Sequence, residues 1–181
     1  MPLTPSQNIP LGTKAANFKL LDTNSNQMKT LKDLKSNTAT VILFICNHCP
    51  FVKHIQQSLI EMGRTYIPKG ISFVAINAND IEAYPDDRPE KMKEVGYPFP
   101  YLFDTTQEIA KAYKAACTPD IYVFDKSLQC VYHGQFDDSR PGNGLPVTGV
   151  DLKKALDCLL SGQPVSSNQK PSIGCNIKWK A

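Results

Sequence analysis

The sequence predicts a three-layer α/β domain built on a mixed sheet, and three observations carry that prediction. Residues 41–45, Val-Ile-Leu-Phe-Ile, form a continuous apolar run, the pattern of a strand buried on both faces. Strand-like and helix-like segments then alternate, as they do in α/β domains. Later, the short β-rich segments 121–124 and 130–132 flank Asp125-Lys126-Ser127-Leu128 and read as a hairpin.

In chain order, a Pro-rich leader comes first. Phe18 and Leu20 alternate with polar neighbours, Asn24-Ser25-Asn26 reads as a turn, and Met28, Leu31 and Leu34 resume an apolar pattern. An N-terminal hairpin or irregular extension is expected there. The run 41–45 is the central strand. Behind it Phe51, Val52, Ile55, Leu59, Met62 and Tyr66 recur near helical period, with Lys53, Gln56, Gln57 and Glu61 between them. Residues 71–76 read as a second buried strand. Helices are expected over 89–95 and 107–116, separated by the breakers Pro98 and Pro100 around residues 97–103. Segment 140–149 holds three glycines and two prolines and reads as a loop. An amphipathic helix follows over 151–160, with apolar positions 152, 155, 156, 159 and 160. The last twenty residues or so lack periodicity. The expected organisation is one domain, 1–162, including the N-terminal extension, and a C-terminal tail, 163–181. No internal repeat is visible.

At 181 residues and 41% hydrophobic composition, the chain suffices for one sizeable core. Twenty Lys and Arg against 17 Asp and Glu give a net charge of only +3, with no basic block, so neither nucleic acid nor a membrane surface is an expected partner. The N-terminal residues 1–8 lack the basic start and apolar core of a secretory signal, and no apolar run approaches the roughly 18 residues of a membrane span. A soluble, cytoplasmic protein is expected. Six cysteines are too few for a disulfide scaffold in a chain of this length, and only Cys46 and Cys49 are close in sequence.

Cys46-Asn47-His48-Cys49-Pro50 sits where the central strand passes into a helix. A nucleophilic cysteine acts as its thiolate, and unpaired N–H groups at a helix start lower a thiol pKa from about 8.5 toward roughly 3.5–7.5. Pro50 suits the first helical turn, where its missing N–H has no intrahelical partner. A protonated His48 adds positive charge and favours the reduced pair. Two other readings stand beside the redox one. The cysteines are buried small hydrophobes, or Cys46, His48 and Cys49 hold zinc or copper, although no second Cys-x-x-Cys or His pair completes four ligands. His54 and His133 read as surface or hydrogen-bonded histidines. The redox reading needs only protein thiols, so no cofactor and no metal is expected.

The order strand, Cys-x-x-Cys, helix, Thr118-Pro119 and hairpin resembles the thioredoxin superfamily. More closely, Phe18-Lys19-Leu20-Leu21-Asp22, the string from Phe44 to Lys53 around Cys46-Asn47-His48-Cys49-Pro50, and the ending Pro171-Ser172-Ile173-Gly174-Cys175-Asn176-Ile177-Lys178-Trp179 resemble peroxiredoxin-like proteins of the alkyl hydroperoxide reductase and thiol-specific antioxidant superfamily. The resemblance implies a thioredoxin-like three-layer fold and a cis bond before Pro119, although only about one X-Pro bond in twenty is cis. It places Cys49 where a peroxiredoxin keeps its peroxidatic cysteine and Cys46 where a hydroxyl residue is usual. Ile42 stands in place of the motif's upstream proline, Pro119 in place of its arginine, and Thr40 in place of the buried acid of thioredoxins.

The resemblance implies a thiol-disulfide oxidoreductase with an antioxidant or protein-thiol redox role, acting on protein disulfides and recycled by a thiol reductant. In that mechanism an exposed Cys46 thiolate attacks the substrate disulfide and Cys49 resolves the mixed disulfide. The alternative is a thiol peroxidase acting on small peroxides, in which Cys49 becomes a sulfenic acid and Cys46 condenses with it. A metal-binding or redox-inert interaction protein is the non-enzymatic alternative. Among the other cysteines, Cys130 reads as core and Cys158 as a partly exposed passive thiol. Cys117, beside Thr118-Pro119, and Cys175, in the tail, are candidate additional redox thiols. From Gly162 an extended chain reaches about 45 Å to Cys175, against a radius of gyration of about 16 Å for such a globule, so the tail is long enough to reach the site.

Overall fold

The structure, a computed structural model, describes residues 3–181; Met1 and Pro2, on which part of the reading of the N-terminus rests, lie outside the described residues. The run expected as the central strand is β4 (Ala39–Phe44), following β1 (Leu3–Pro5), β2 (Lys19–Asp22) and β3 (Gln27–Thr30). Every residue of β4 is buried. Its neighbours explain why: β5 (Ile71–Asn77) pairs with it in parallel on one side and β8 (Asp120–Asp125) antiparallel on the other. Beyond β8 lies β9 (Cys130–His133), and beyond β5 come β6 (Tyr101–Phe103), β2 and β3, giving a seven-stranded mixed sheet.

Alternation along β4 divides the core. Val41 and Leu43 face one layer with α2 (Pro50–Tyr66), α3 (Pro89–Glu94) and α5 (Val150–Leu160), through Val52, Leu59, Met92, Leu152 and Leu156. Ile42 and Phe44 face the other, with α1 (Leu31–Leu34) and α4 (Glu108–Ala112), through Leu31 and Ala110. The three-layer α/β expectation therefore holds. So do the N-terminal hairpin, β2 with β3, and the later hairpin, β8 with β9. The chain leaves α2 through a short 3-10 turn, Ile67–Lys69, that ends at Gly70 with φ 97°, a left-handed conformation that favours glycine.

Three segments differ from expectation. The helix expected over 107–116 stops at Ala112, because Lys114 turns left-handed at φ 55° and the Ala115 N–H donates to the Ala110 carbonyl, closing a Schellman turn. That turn delivers β7 (Cys117–Thr118) and the cis Thr118-Pro119 bond to the head of the sheet. Residues 101–103 form β6, which is too short and too closely preceded by proline for a periodic signal. The tail, expected without regular structure, contains β10 (Ile173–Asn176), paired antiparallel with β1 on one side and β7 on the other. The Pro-rich leader supplies β1, and this second sheet of three strands closes over one end of the first. Among the described residues, no helix is long and apolar enough to cross a membrane.

Candidate redox site

Parallel strands β4 and β5 end side by side, and the chain leaving each builds the site. Pro50 opens α2, so Cys49 becomes its N-cap, at φ −70° and ψ 124°. A sulfur at that position meets first-turn N–H groups that lack intrahelical partners. Opposite it, the register of β10 against β7 sets Cys175 beside Thr118. The Cys49 Sγ lies 2.9 Å from the Cys175 Sγ and 3.3 Å from the Thr118 carbonyl oxygen, while the Cys46 Sγ lies 3.3 Å from the Thr118 hydroxyl oxygen. Cys46 is 2% exposed, Cys49 0% and Cys175 3%.

These surroundings divide the protons unequally. Donation from the Cys46 thiol lowers Cys49 most; burial opposes, and Cys175, the Val52 N–H and Thr118 add to the lowering, leaving Cys49 at about 4. Cys46 moves well above the ordinary thiol range, because it donates to Cys49, is buried and lies near the Asp87 carboxylate. Cys175 is pushed up to about 12 by burial first, then by donation to Cys49 and by its charge. Of the three thiols, Cys49 is the one whose pKa is lowered, flanked by two whose pKa is raised. Cys46 is buried rather than exposed, and helix-capping geometry favours the second cysteine of the motif, since Cys46 stands three residues before the N-cap.

A polar layer lies behind Cys46. Asp87, fully buried in the 3-10 turn Pro85–Asp87, accepts from His48 Nδ1 at 2.5 Å, the Asn47 N–H at 2.7 Å, Asn79 Nδ2 at 2.9 Å and Asn77 Nδ2 at 3.1 Å. Burial works to raise this carboxyl, and the donors outweigh it, so its pKa lies below the usual value. His48 stacks on Tyr84 with ring centroids 5.0 Å apart, and its buried Nε2 has no hydrogen-bond partner. The residue after β10 but one, Lys178, joins this layer: its N–H donates to Asn79 Oδ1 at 2.8 Å.

The structure thus brings Cys46, His48, Cys49, Thr118, Pro119 and Cys175 together. Cys117 is adjacent in sequence but apart in chemistry: its thiol donates to the Pro119 carbonyl at 3.5 Å, and burial, helped by the charge of Asp120, pushes it far up. Cys130 is core, raised to about 12 by burial, and Cys158 is half-buried. His133 is a buried hydrogen-bonded histidine, with Nε2 2.7 Å from Asp120 Oδ1. Thr40 is fully buried and its hydroxyl accepts from the Ser36 N–H. Among the described residues, the metal-ligand grouping is Cys46, His48 and Asp87, with ligand atoms within 4.8 Å of one another; Asp87 takes the place expected for Cys49. Sequence reasoning missed Asp87, Asn77 and Asn79. The signal was Asn77-Ala78-Asn79-Asp80 directly after a buried parallel strand, where ligand sites gather in α/β sheets.

The fold is that of the thioredoxin-like superfamily. It matches the thioredoxin domain of a thiol-disulfide oxidoreductase from Bacteroides vulgatus with a TM-score of 0.58 at 16% identity, covering 70% of this chain and 89% of that one. The chain belongs to the AhpC/TSA family, whose profile matches residues 11–133, and has a thiol redox role. An uncharacterized conserved protein from Geobacillus kaustophilus is 60% identical, with a TM-score of 0.97 over 99% of this chain and 97% of that one. A hypothetical protein from Sinorhizobium meliloti 1021 is 48% identical, with a TM-score of 0.95 over 98% and 99%. No curated protein sequence matches the chain.

Proposed function

We propose that the protein is a thiol-disulfide oxidoreductase whose working pair is Cys49 and Cys46, with Cys49 as the nucleophile. The observation that carries this is the position of Cys49 at the N-cap of α2, where its pKa falls to about 4 beside a protonated Cys46. The Cys49 thiolate attacks one sulfur of a substrate disulfide and expels the other as a thiolate. Cys46 then gives up its proton and attacks the Cys49 sulfur of the mixed disulfide. The substrate leaves reduced and a Cys46–Cys49 disulfide remains, to be reopened by an external thiol reductant. Thr118, through its hydroxyl, and the His48–Asp87 pair behind Cys46 are the groups placed to handle the proton Cys46 loses. Pro119, in the cis bond next to Thr118, shapes this wall of the site.

Peroxide reduction is the second reading, and one observation favours it: the thiolate falls on Cys49, the cysteine that the resemblance places as peroxidatic. Burial of the sulfurs also suits a compact substrate. Against it, none of the leading causes that lower the Cys49 pKa among the described residues is a Lys or Arg, and losing one aligned donor to a developing anion costs about 10²–10³ in rate. Disulfide exchange makes less of that demand.

Rates of disulfide reduction and hydrogen peroxide consumption for wild type, Cys46→Ser and Cys49→Ser test both. Loss of disulfide reduction in both variants supports the pair. Peroxide turnover abolished by Cys49→Ser alone makes the enzyme a peroxidase, and unchanged rates throughout reject an enzymatic role for these cysteines. Stoichiometric metal after chelator-free purification would instead favour the metal-binding reading.

A further inference from the structure

Cys49 touches a second thiol outside its Cys-x-x-Cys motif. We infer that Cys175 is a third redox thiol, which takes Cys49 from Cys46 by internal exchange and forms a Cys49–Cys175 disulfide. The inference rests on the proposed Cys46–Cys49 pair and goes one step past it.

Position is the first argument. The two sulfurs stand 2.9 Å apart, and a disulfide bond is about 2.05 Å long, so an approach of about 0.9 Å completes the bond. Strand β10 cannot drift to bring this about by chance. A β-carbon at Gly174 would lie 2.0 Å from the Thr118 carbonyl oxygen, so glycine lets β10 lie against the Thr118-Pro119 backbone and fixes the neighbouring Cys175 over Cys49. A merely structural cysteine at this place would need no such approach to a thiolate.

Electrostatics is the second. In the reduced protein Cys175 keeps its proton, held by burial and by the Cys49 thiolate it donates to. Once Cys49 is bonded to Cys46, that thiolate no longer exists. Burial then remains the leading influence that holds the Cys175 proton, and the Lys178 charge works against it. The thiol becomes easier to ionise in the state that has a disulfide to attack.

The step balances internally. Cys175 loses its proton and its thiolate attacks the Cys49 sulfur of Cys46–Cys49. The Cys49–Cys175 bond forms, the Cys46–Cys49 bond breaks, and Cys46 leaves as a thiolate that takes up one proton. No electrons enter or leave. The oxidising equivalent moves from a bridge within the segment that leads into α2 to a bridge between the N-cap of α2 and β10, and Cys46 returns to its thiol form beside Thr118.

The test is disulfide mapping by proteolysis and mass spectrometry after brief treatment with oxidised glutathione and acid quenching. Wild type, Cys46→Ser and Cys175→Ser are compared, with circular dichroism of each reduced protein as a check on folding. The inference expects both Cys46–Cys49 and Cys49–Cys175 in wild type, with the second at a tenth or more of the total. It expects Cys49–Cys175 in Cys46→Ser at a rate within tenfold of wild-type disulfide formation, and only Cys46–Cys49 in Cys175→Ser. Wild type needs no substitution, so the wild-type map decides even where a variant fails to fold. Cys46–Cys49 forming while Cys175 stays free overturns this inference alone. Cys49–Cys175 forming without any Cys46–Cys49 counts against the proposed pair and leaves Cys175 as the redox partner of Cys49.

Discussion

The Thr118 carbonyl oxygen occupies space that any side chain at Gly174 would need, 2.0 Å from a β-carbon built there. Backbone cannot retreat as the tip of a flexible side chain can. Gly174→Ala must therefore push β10 off β7, and overpacking of this kind costs about 1–3 kcal/mol. Urea denaturation of the reduced protein should show that loss, and disulfide mapping should show less Cys49–Cys175. Unchanged stability would mean that the approach of β10 to Thr118 is looser than described.

Titration of the reduced protein at 240 nm, where thiolates absorb, should show one cysteine ionising near pH 4. Cys49→Ser should remove that transition. Cys46→Ala, which leaves no donor there, should raise it by a pH unit or more, roughly, since donation from the Cys46 thiol is the largest cause of the lowering. A transition that survives Cys49→Ser would place the thiolate elsewhere.

The same thiolate links stability to pH. Cys49 ionises near 4 when folded and near 9 when unfolded, so between those values the unfolded chain binds a proton that the folded one does not. Stability of the reduced protein therefore rises with pH across that window, by at most about 1.4 kcal/mol per unit, and is lost as pH falls toward 4. Above about pH 9 the raised Cys46 acts in the opposite sense, because the unfolded chain then ionises first. Denaturation at pH 5, 7 and 9 should show a steeper rise for reduced wild type than for Cys49→Ser. Parallel curves would contradict the lowered Cys49.

Asp87 collects four donors in a fully buried position. Asp87→Ala strands all of them, a loss of about 3 kcal/mol or more, which lowers the Tm of a domain this size by roughly 6–12 °C. It also removes a negative charge that raises Cys46, so thiol titration should find Cys46 ionising at lower pH. A Tm within about 2 °C of wild type would show that water replaces the carboxylate without cost.

What was legible in the sequence was what periodicity and burial write there. Val41-Ile42-Leu43-Phe44 is apolar without alternation because both faces of β4 are covered, and α2 shows its buried stripe from Val52 to Tyr66. Strands β6 and β10 left no such mark. Tyr101, Leu102 and Phe103 are too few to show a period, and Ile173-Gly174-Cys175-Asn176 is selected by closeness to Thr118 rather than by alternation. The motif announced the cysteine pair but not which member ionises. That depends on Cys175 and Thr118, which come from distant segments, and on the buried Asp87, whose turn carries no spacing signal relative to His48.

The route by which the three sulfurs meet sets an order for their assembly. Cys46 and Cys49 are neighbours in any conformation, whereas Cys49 and Cys175 are separated by 126 positions. Closing a loop of that length costs about 3 kcal/mol more in chain entropy than closing one of three residues, and such distant contacts form late in folding. A nascent or partly folded chain therefore offers the pair to oxidants before β1, β7 and β10 have met. Maturation of the reactive sulfur is in this sense a checkpoint: Cys46 and the helix start are at hand early, and the part of the lowering that Cys175 and Thr118 add arrives only once the last strand has met the first and β7.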